Sequence, residues 1–252
     1  MKNDITYPRP LLAGQHNFRD LGGIPVAGGR KLKSGLLFRS GDLHSITALD
    51  VEFLEAINLS MIIDFRSQRE REVRPNREIK TVKEVCHLEI HDEPREKAAR
   101  FVEMNNKEGL DQLLVEEYPR IIQHYRDQYR QFFTEIQTTL NIPLVFQCSA
   151  GKDRTGLAAV FLLTSLGASR EDILADYYAT NYYAQAHAYE IIGLINNNGH
   201  NGELMRPLLE VRPEYLAAGL KEIDLQSGSL QNFVLNELKA DAGLLQAKFL
   251  ES

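Results

Sequence analysis

The run VFQCSAGKDRTG, from Val145 to Gly156, sets one thiol and one guanidinium, Cys148 and Arg154, on either side of a glycine-containing turn. A loop that curls over a helix start aims several backbone N–H groups at one point, and the helix dipole adds its positive end. Such a stretch makes an anion pocket, with phosphate as its natural guest. In that pocket Cys148 becomes a nucleophile. A helix N-terminus contributes up to ~2 kcal/mol, and each hydrogen bond to a charged group roughly 1.5 to 3 kcal/mol, in favour of the thiolate. Arg154 has a planar fork that can hold two phosphoryl oxygens and stay with them as charge spreads in the transition state. The Thr155 hydroxyl is placed to donate to the sulfur and help it leave a phosphocysteine, with Ser149 as a second candidate for that task. The competing reading makes Cys148 an inert core thiol.

Two elements must hold this loop. Pro143 to Phe146 is short, apolar and β-prone, while Leu157 to Leu166 is apolar up to Gly167, a natural helix terminator. The nucleophile is therefore expected at the C-terminal end of a strand, with Ser149, Ala150, Gly151, Lys152, Asp153 and Arg154 forming the phosphate cradle.

These residues carry the C-x5-R spacing of the cysteine-dependent phosphatases. The fuller string CSAGKDRTG resembles the bacterial protein-tyrosine and dual-specificity phosphatases with lipid-phosphatase-like activity. The resemblance implies a metal-independent phosphomonoesterase, without cofactor, acting through a phosphocysteine. Its substrates would be phosphotyrosine, with phosphoserine, phosphothreonine and phosphoinositides as further classes. It also implies a helical lid over the pocket, for which residues 177–209 are the candidate segment, within a single domain spanning 1–252. The segments NFRDLGG (from Asn17) and FRSGDL (from Phe38) resemble parts of the same family that brace the site. Their Arg19, Asp20, Arg39 and Asp42 otherwise read as structural ion pairs.

Three carboxyls compete for the role of general acid. Asp153, in the loop, is the position the resembled family most directly offers. Asp64 ends an apolar strand, MIIDFRS, that resembles a family motif lying beside the loop; it could protonate the leaving oxygen, orient Arg154, or simply pair with another arginine. Asp92 follows the strand VCHLEI, where related phosphatases carry a mobile acid. The sequence departs from the family at Gln147, where a histidine usually precedes the cysteine. That departure supports the alternative of a phosphate-binding pseudophosphatase. An inositol-phosphate phosphatase or a rhodanese-like sulfur carrier are further readings. Lys152 either favours polyanionic substrates or pairs with a carboxylate.

With 252 residues, 43% of them hydrophobic, the chain can bury one sizeable core. A net charge of -6 argues against a nucleic-acid surface or a polybasic membrane patch. The N-terminus lacks an apolar leader and no stretch approaches a membrane span, so stable membrane insertion is not expected and the cytoplasm is the default setting. Two cysteines form no disulfide framework. Cys86 reads as a core residue, with a protective disulfide to Cys148 as the sharper alternative. His87 and His91 lack the neighbours that would complete a metal site.

Along the rest of the chain, residues 24–33 read as a hairpin and Leu36 to Ser40 as a strand. Thr47 caps a helix that runs to about Asn58. Gln68 to Lys83, rich in charge, reads as solvated surface. Pro94 to Leu140 is helical and divided at Pro119, with a core stripe from Ile121 to Ile136. Ser169 caps a helix towards Ile191, Asn196 to Gly202 is a loop, and further helices begin at Pro213 and Ser229. Alternating strands and helices predict an α/β fold: a central, mostly parallel sheet flanked by helices.

Overall fold

The computed structural model describes residues 11–91, 97, 100, 101 and 104–251. Five strands form one sheet: β1 (Arg19–Asp20), β2 (Leu37–Ser40), β3 (Met61–Asp64), β4 (Glu84–His87) and β5 (Leu144–Gln147). Their spatial order is β1-β2-β5-β3-β4, with β1 antiparallel to β2 and every other pairing parallel. The strand leading to Cys148 is therefore central. Its alternation serves two cores. Val145 joins Phe18, Phe38, Leu54 and Ile62, while Leu144 and Phe146 join Phe132, Phe161 and the helices of the other side. The fold is the expected α/β sheet flanked by helices.

Helix α1 (Ala48–Ala56) starts at Thr47, whose hydroxyl accepts from the Asp50 N–H while Asp50 reaches back to close a capping box. The segment expected to be solvated surface is exposed or half-buried except at Ile79, and it opens with a short helix, α2 (Gln68–Val73), closed by a second capping box between Ser67 and Glu70. Helix α3 (Lys107–His124) runs straight through Pro119, and the break falls later, at Tyr125, before α4 (Arg126–Thr138). Proline removes one helical hydrogen bond, but burial of Tyr118, Ile121 and Ile122 on the same helix outweighs the local preference. The predicted stripe continues into α4 as buried Tyr129, Phe132, Phe133 and Ile136.

Helix α5 (Asp153–Leu166) is buried along almost its whole length and ends at Gly167 in a left-handed conformation (φ 87°). Helix α6 (Arg170–Asn197), capped by Ser169, extends past Ile191 and takes up the start of the expected loop. A 3-10 turn (Gly202–Met205) and a short helix α7 (Arg206–Leu209) follow. Then come α8 (Pro213–Ser227), a helical turn from Leu230 that widens into a π turn at Phe233–Glu237, and α9 (Ala242–Phe249).

The hairpin expected at 24–33 closes around a 3-10 turn, Ala27–Gly29, with an antiparallel Pro25–Lys31 bridge flanked by the Val26 N–H donating to Arg30 O (2.9 Å) and the Leu32 N–H donating to Ile24 O (3.0 Å). The hairpin also reaches outward: Val26 bridges Ala168, Leu32 bridges Leu250, and the Ala27 N–H donates to Gly167 O at 2.9 Å. The segment staples the ends of α5 and α9 together. Cys86 and Cys148 are both free thiols. Cys86 pairs with Ile63 on β3, and Ile63 pairs with Phe146 on β5. Two strand spacings, about 10 Å, separate the cysteine-bearing strands, beyond the roughly 7 Å that a disulfide spans. No disulfide forms between these strands as they lie.

Candidate active site

Strand β5 ends at Gln147, the loop follows, and α5 begins at Asp153, so a five-residue turn from Cys148 to Lys152 joins the central strand to a buried helix. The loop's carbonyls are pulled outward. Ser149 O accepts from the Asp42 N–H (3.0 Å), Ala150 O and Gly151 O from the Asn17 side-chain amide (2.8 and 3.1 Å), and Gly151 O also from Arg39 Nη2 (2.9 Å). Gly151 has φ 68°, and a Cβ there would lie 2.5 Å from the Ser40 carbonyl and the Gly41 nitrogen, so only glycine lets the loop press against the exit of β2. Cys148 is 2% exposed and Arg154 3%.

The guanidinium of Arg154 is held end-on by Glu70, with Nη1 to Oε2 and Nη2 to Oε1 both at 2.8 Å, and Nη1 also donates to Ile90 O at 2.8 Å. Glu70 further accepts from the Ser149 hydroxyl and from the Ser67 N–H (2.8 Å). Burial works to raise the Glu70 carboxyl, but the hydrogen bonds and charge of Arg154, with Ser149 and Ser67, prevail and hold it at about 2. Glu70 thus closes the α2 capping box and clamps Arg154 with one carboxylate. Sequence reading missed it, although Ser67 followed three residues later by Glu70 is a capping-box signature.

Beneath the loop lies a second buried cluster. Asp176 on α6 accepts from Arg19 Nε (3.0 Å) and from Arg39 Nη1, and Arg39 in turn holds Gly151 O. Burial, then the charge of Arg39, lowers Arg19 to about 10 despite Asp176. Burial would raise the Asp176 carboxyl, but Arg39 and Arg19 together hold it below its ordinary value. Arg19 and Arg39 are therefore structural ion-pair partners, as expected, and Asp42 pairs with Arg74 (3.0 Å). Asp20 departs from that reading: its carboxylate accepts from the Gly22 and Gly35 N–H groups (2.8 and 2.6 Å).

Asp153 sits at the first position of α5, its Oδ1 accepting from the Tyr118 hydroxyl at 2.8 Å and lying 3.2 Å from Lys152 Nζ. Lys152 is buried and donates to Glu210 O (2.9 Å) and Pro207 O (3.4 Å), tying the loop to the chain around α7. A cavity of about 610 Å³ opens over Ser149, Ala150, Lys152 and Asp153. Helix α6 lines it with Ala184, Ala188 and Ile191 interleaved with Thr180, His187 and Glu190, and Leu208, Gln15, His16, Asp42 and Arg74 complete the lining.

Asp64 is fully buried and gives its carboxylate to Arg66 (Nη2 at 2.7 Å) and to Gln147 Nε2 (2.9 Å). Gln147 Nε2 also donates to Asn76 Oδ1 (3.1 Å), while its Oε1 is buried without a partner among the described residues. The Thr155 hydroxyl is likewise buried without a partner among them. Asp92 lies outside the described residues. Among the described residues, no group of three or more His, Cys, Asp and Glu is placed to hold a metal ion, and no helix is long and apolar enough to cross a membrane.

The chain that builds this strand–loop–helix site belongs to the tyrosine phosphatase family, whose sequence model matches residues 10–251. A Cupriavidus necator protein named among the tyrosine-protein phosphatases is 33% identical over 247 residues, covering 93% of this chain and 85% of that protein. The triple specificity protein phosphatase PtpB of Mycobacterium tuberculosis is 28% identical over 271 residues, covering 94% of each. Among solved structures, P. aeruginosa TpbA in complex with phosphotyrosine matches at 17% identity with a TM-score of 0.30, over 59% of this chain and 70% of that one.

Proposed function

We propose that this chain hydrolyses phosphate monoesters, phosphotyrosine foremost, by two in-line steps through a phosphocysteine at Cys148. The observation that carries the reading is the loop between β5 and α5. Its carbonyls are engaged by Asn17, Arg39 and Asp42, which leaves its N–H groups to receive the phosphate oxygens between Cys148 and Arg154 in this reading. In the first step the thiolate attacks phosphorus while Arg154, aligned by Glu70, and the N–H groups take the equatorial oxygens. Asp153 protonates the departing oxygen. In the second step its carboxylate takes a proton from water, which displaces the sulfur with the Thr155 hydroxyl, without a partner among the described residues, donating to it. Asp64, committed to Arg66 and Gln147, ties the C-terminal ends of the interior strands β3 and β5 together.

Cys148 is nearly inaccessible as the chain stands, so turnover includes an opening step. Residues 177–209, joined to the loop through Lys152, act as the lid. With Lys152 engaged by main-chain carbonyls and Asp153, the cavity is better fitted to an aryl phosphate with a bulky apolar or peptide group than to a phosphoinositide headgroup. Two free thiols suit a reducing compartment such as the cytoplasm. The test is phosphate release with chelator present, from a phosphotyrosine peptide and from phosphoinositide vesicles. Peptide turnover above lipid turnover, both lost in Cys148→Ser, is expected. Phosphopeptide binding without turnover between pH 5 and 8 would instead mark a pseudophosphatase with Gln147 as its lesion.

A further inference from the structure

We infer that Tyr118, backed by Tyr177, is a positioning residue for the general acid: its hydroxyl pins Asp153 Oδ1, so that Oδ2 carries the proton into the cavity. The inference rests on the reading of Asp153 as that acid. Three polar groups line up on neighbouring helices. The Tyr118 hydroxyl on α3 donates to Asp153 Oδ1 at 2.8 Å, the Tyr177 oxygen on α6 lies 2.8 Å from the Tyr118 oxygen, and the Tyr177 hydroxyl lies 3.4 Å from Arg212 O at the start of α8. Both rings are fully buried.

Each phenol has a single proton. With the Tyr118 proton given to Asp153, the Tyr177 proton satisfies the remaining lone pair of Tyr118, which fixes the direction of the chain and strengthens its last link. Burial, and then the charge of Asp153, pushes both phenols well above their ordinary value, so they stay neutral donors wherever the enzyme works. The backbone holds the arrangement. Helix α8 crosses α3 so closely that a Cβ on Gly219 would lie 3.1 Å from the Tyr118 Cβ. With Oδ1 engaged by Tyr118, Oδ2 is the oxygen left to give and then take the proton.

Other charges reach Asp153 from each element around it. Lys152 stands beside Oδ1, Arg154 follows on the same turn, and α8 brings Tyr215 with Arg212, the latter paired with Asp111 of α3. These are unchanged when Tyr118 becomes phenylalanine, so the substitution isolates the hydroxyl.

The experiment is the pH dependence of kcat/KM for Tyr118→Phe, Tyr177→Phe and Asp153→Asn, on an aryl phosphate with an acidic leaving group and on an alkyl phosphate. Loss of a donor to the carboxylate favours its protonated form, so the alkaline limb of Tyr118→Phe moves up by about one pH unit. With the proton no longer confined to Oδ2, the alkyl substrate loses about tenfold more rate than the aryl one. Tyr177→Phe shifts the limb the same way by less, and it stands in should Tyr118→Phe fail to fold. An unmoved limb with equal loss on both substrates reduces Tyr118 to packing and overturns the inference. Alkyl phosphate hydrolysis by Asp153→Asn at the wild-type rate overturns the acid assignment itself, and the inference with it.

Discussion

Replacing Glu70 with glutamine removes one charge from the centre of the site while keeping its shape. The Glu70 carboxyl is held at about 2, against an ordinary 4.5, by a two-pronged contact to Arg154 and by Ser149 and Ser67. That descent corresponds to about 3 kcal/mol favouring the ionised form in the folded chain. Because the folded value is the lower one, this stability is fully present above pH 4.5 and is lost as pH falls towards 2. Urea unfolding at pH 7 should therefore show Glu70→Gln less stable by about 2 to 3 kcal/mol, with the gap to wild type narrowing at pH 3. Activity should fall as well, since the end-on grip of a carboxylate sets the guanidinium plane. A misplaced Arg154 costs about 10²-fold in kcat/KM. A variant with wild-type stability at both pH values and wild-type turnover would refute the claim that Glu70 organises Arg154.

Asp176→Asn leaves Arg19 and Arg39 buried without their carboxylate, and a loss of about 3 to 5 kcal/mol is expected in equilibrium unfolding. Gly151→Ala forces a Cβ to within 2.5 Å of the Ser40 carbonyl at φ 68°; phosphate release should drop about 10²-fold or more, with a smaller change in thermal midpoint. Lys152→Met frees the carbonyls of Pro207 and Glu210, so amide exchange across 202–210 should quicken while β5 and α5 keep their protection. Phe161→Ala, which removes a ring packed against Tyr129 and Phe233 at 5.1 and 5.5 Å, should cost about 3 to 5 kcal/mol in the same unfolding assay.

The strand and helix that hold Cys148 were legible because each is a pure local signal: an apolar run, a glycine-containing turn, and a second apolar run closed by Gly167. Thr47 and Ser169 were equally plain, since a cap is written within four residues. Pro119 misled because its effect is local, whereas the burial of Tyr118, Ile121 and Ile122 that overrides it comes from helices far along the chain. Glu70 was hidden for a different reason. Its neighbours Gln68 to Arg74 are nearly all charged, which reads as solvent, and only the fold brings Arg154 across 84 positions to meet it. The partners of Asp153 were hidden in the same way, because tyrosines at helical spacing in α3 and α6 look like packing until their hydroxyls converge.

The central claim is that Cys148 becomes covalently phosphorylated during turnover. Its most direct test is rapid acid quenching of the enzyme with an aryl phosphate, followed by peptide mass analysis. The account predicts a phosphoryl group on the peptide containing Cys148, accumulating in Asp153→Asn and absent from Cys148→Ser. Undiminished hydrolysis by Cys148→Ser, with no phosphorylated peptide in the wild type, would contradict it.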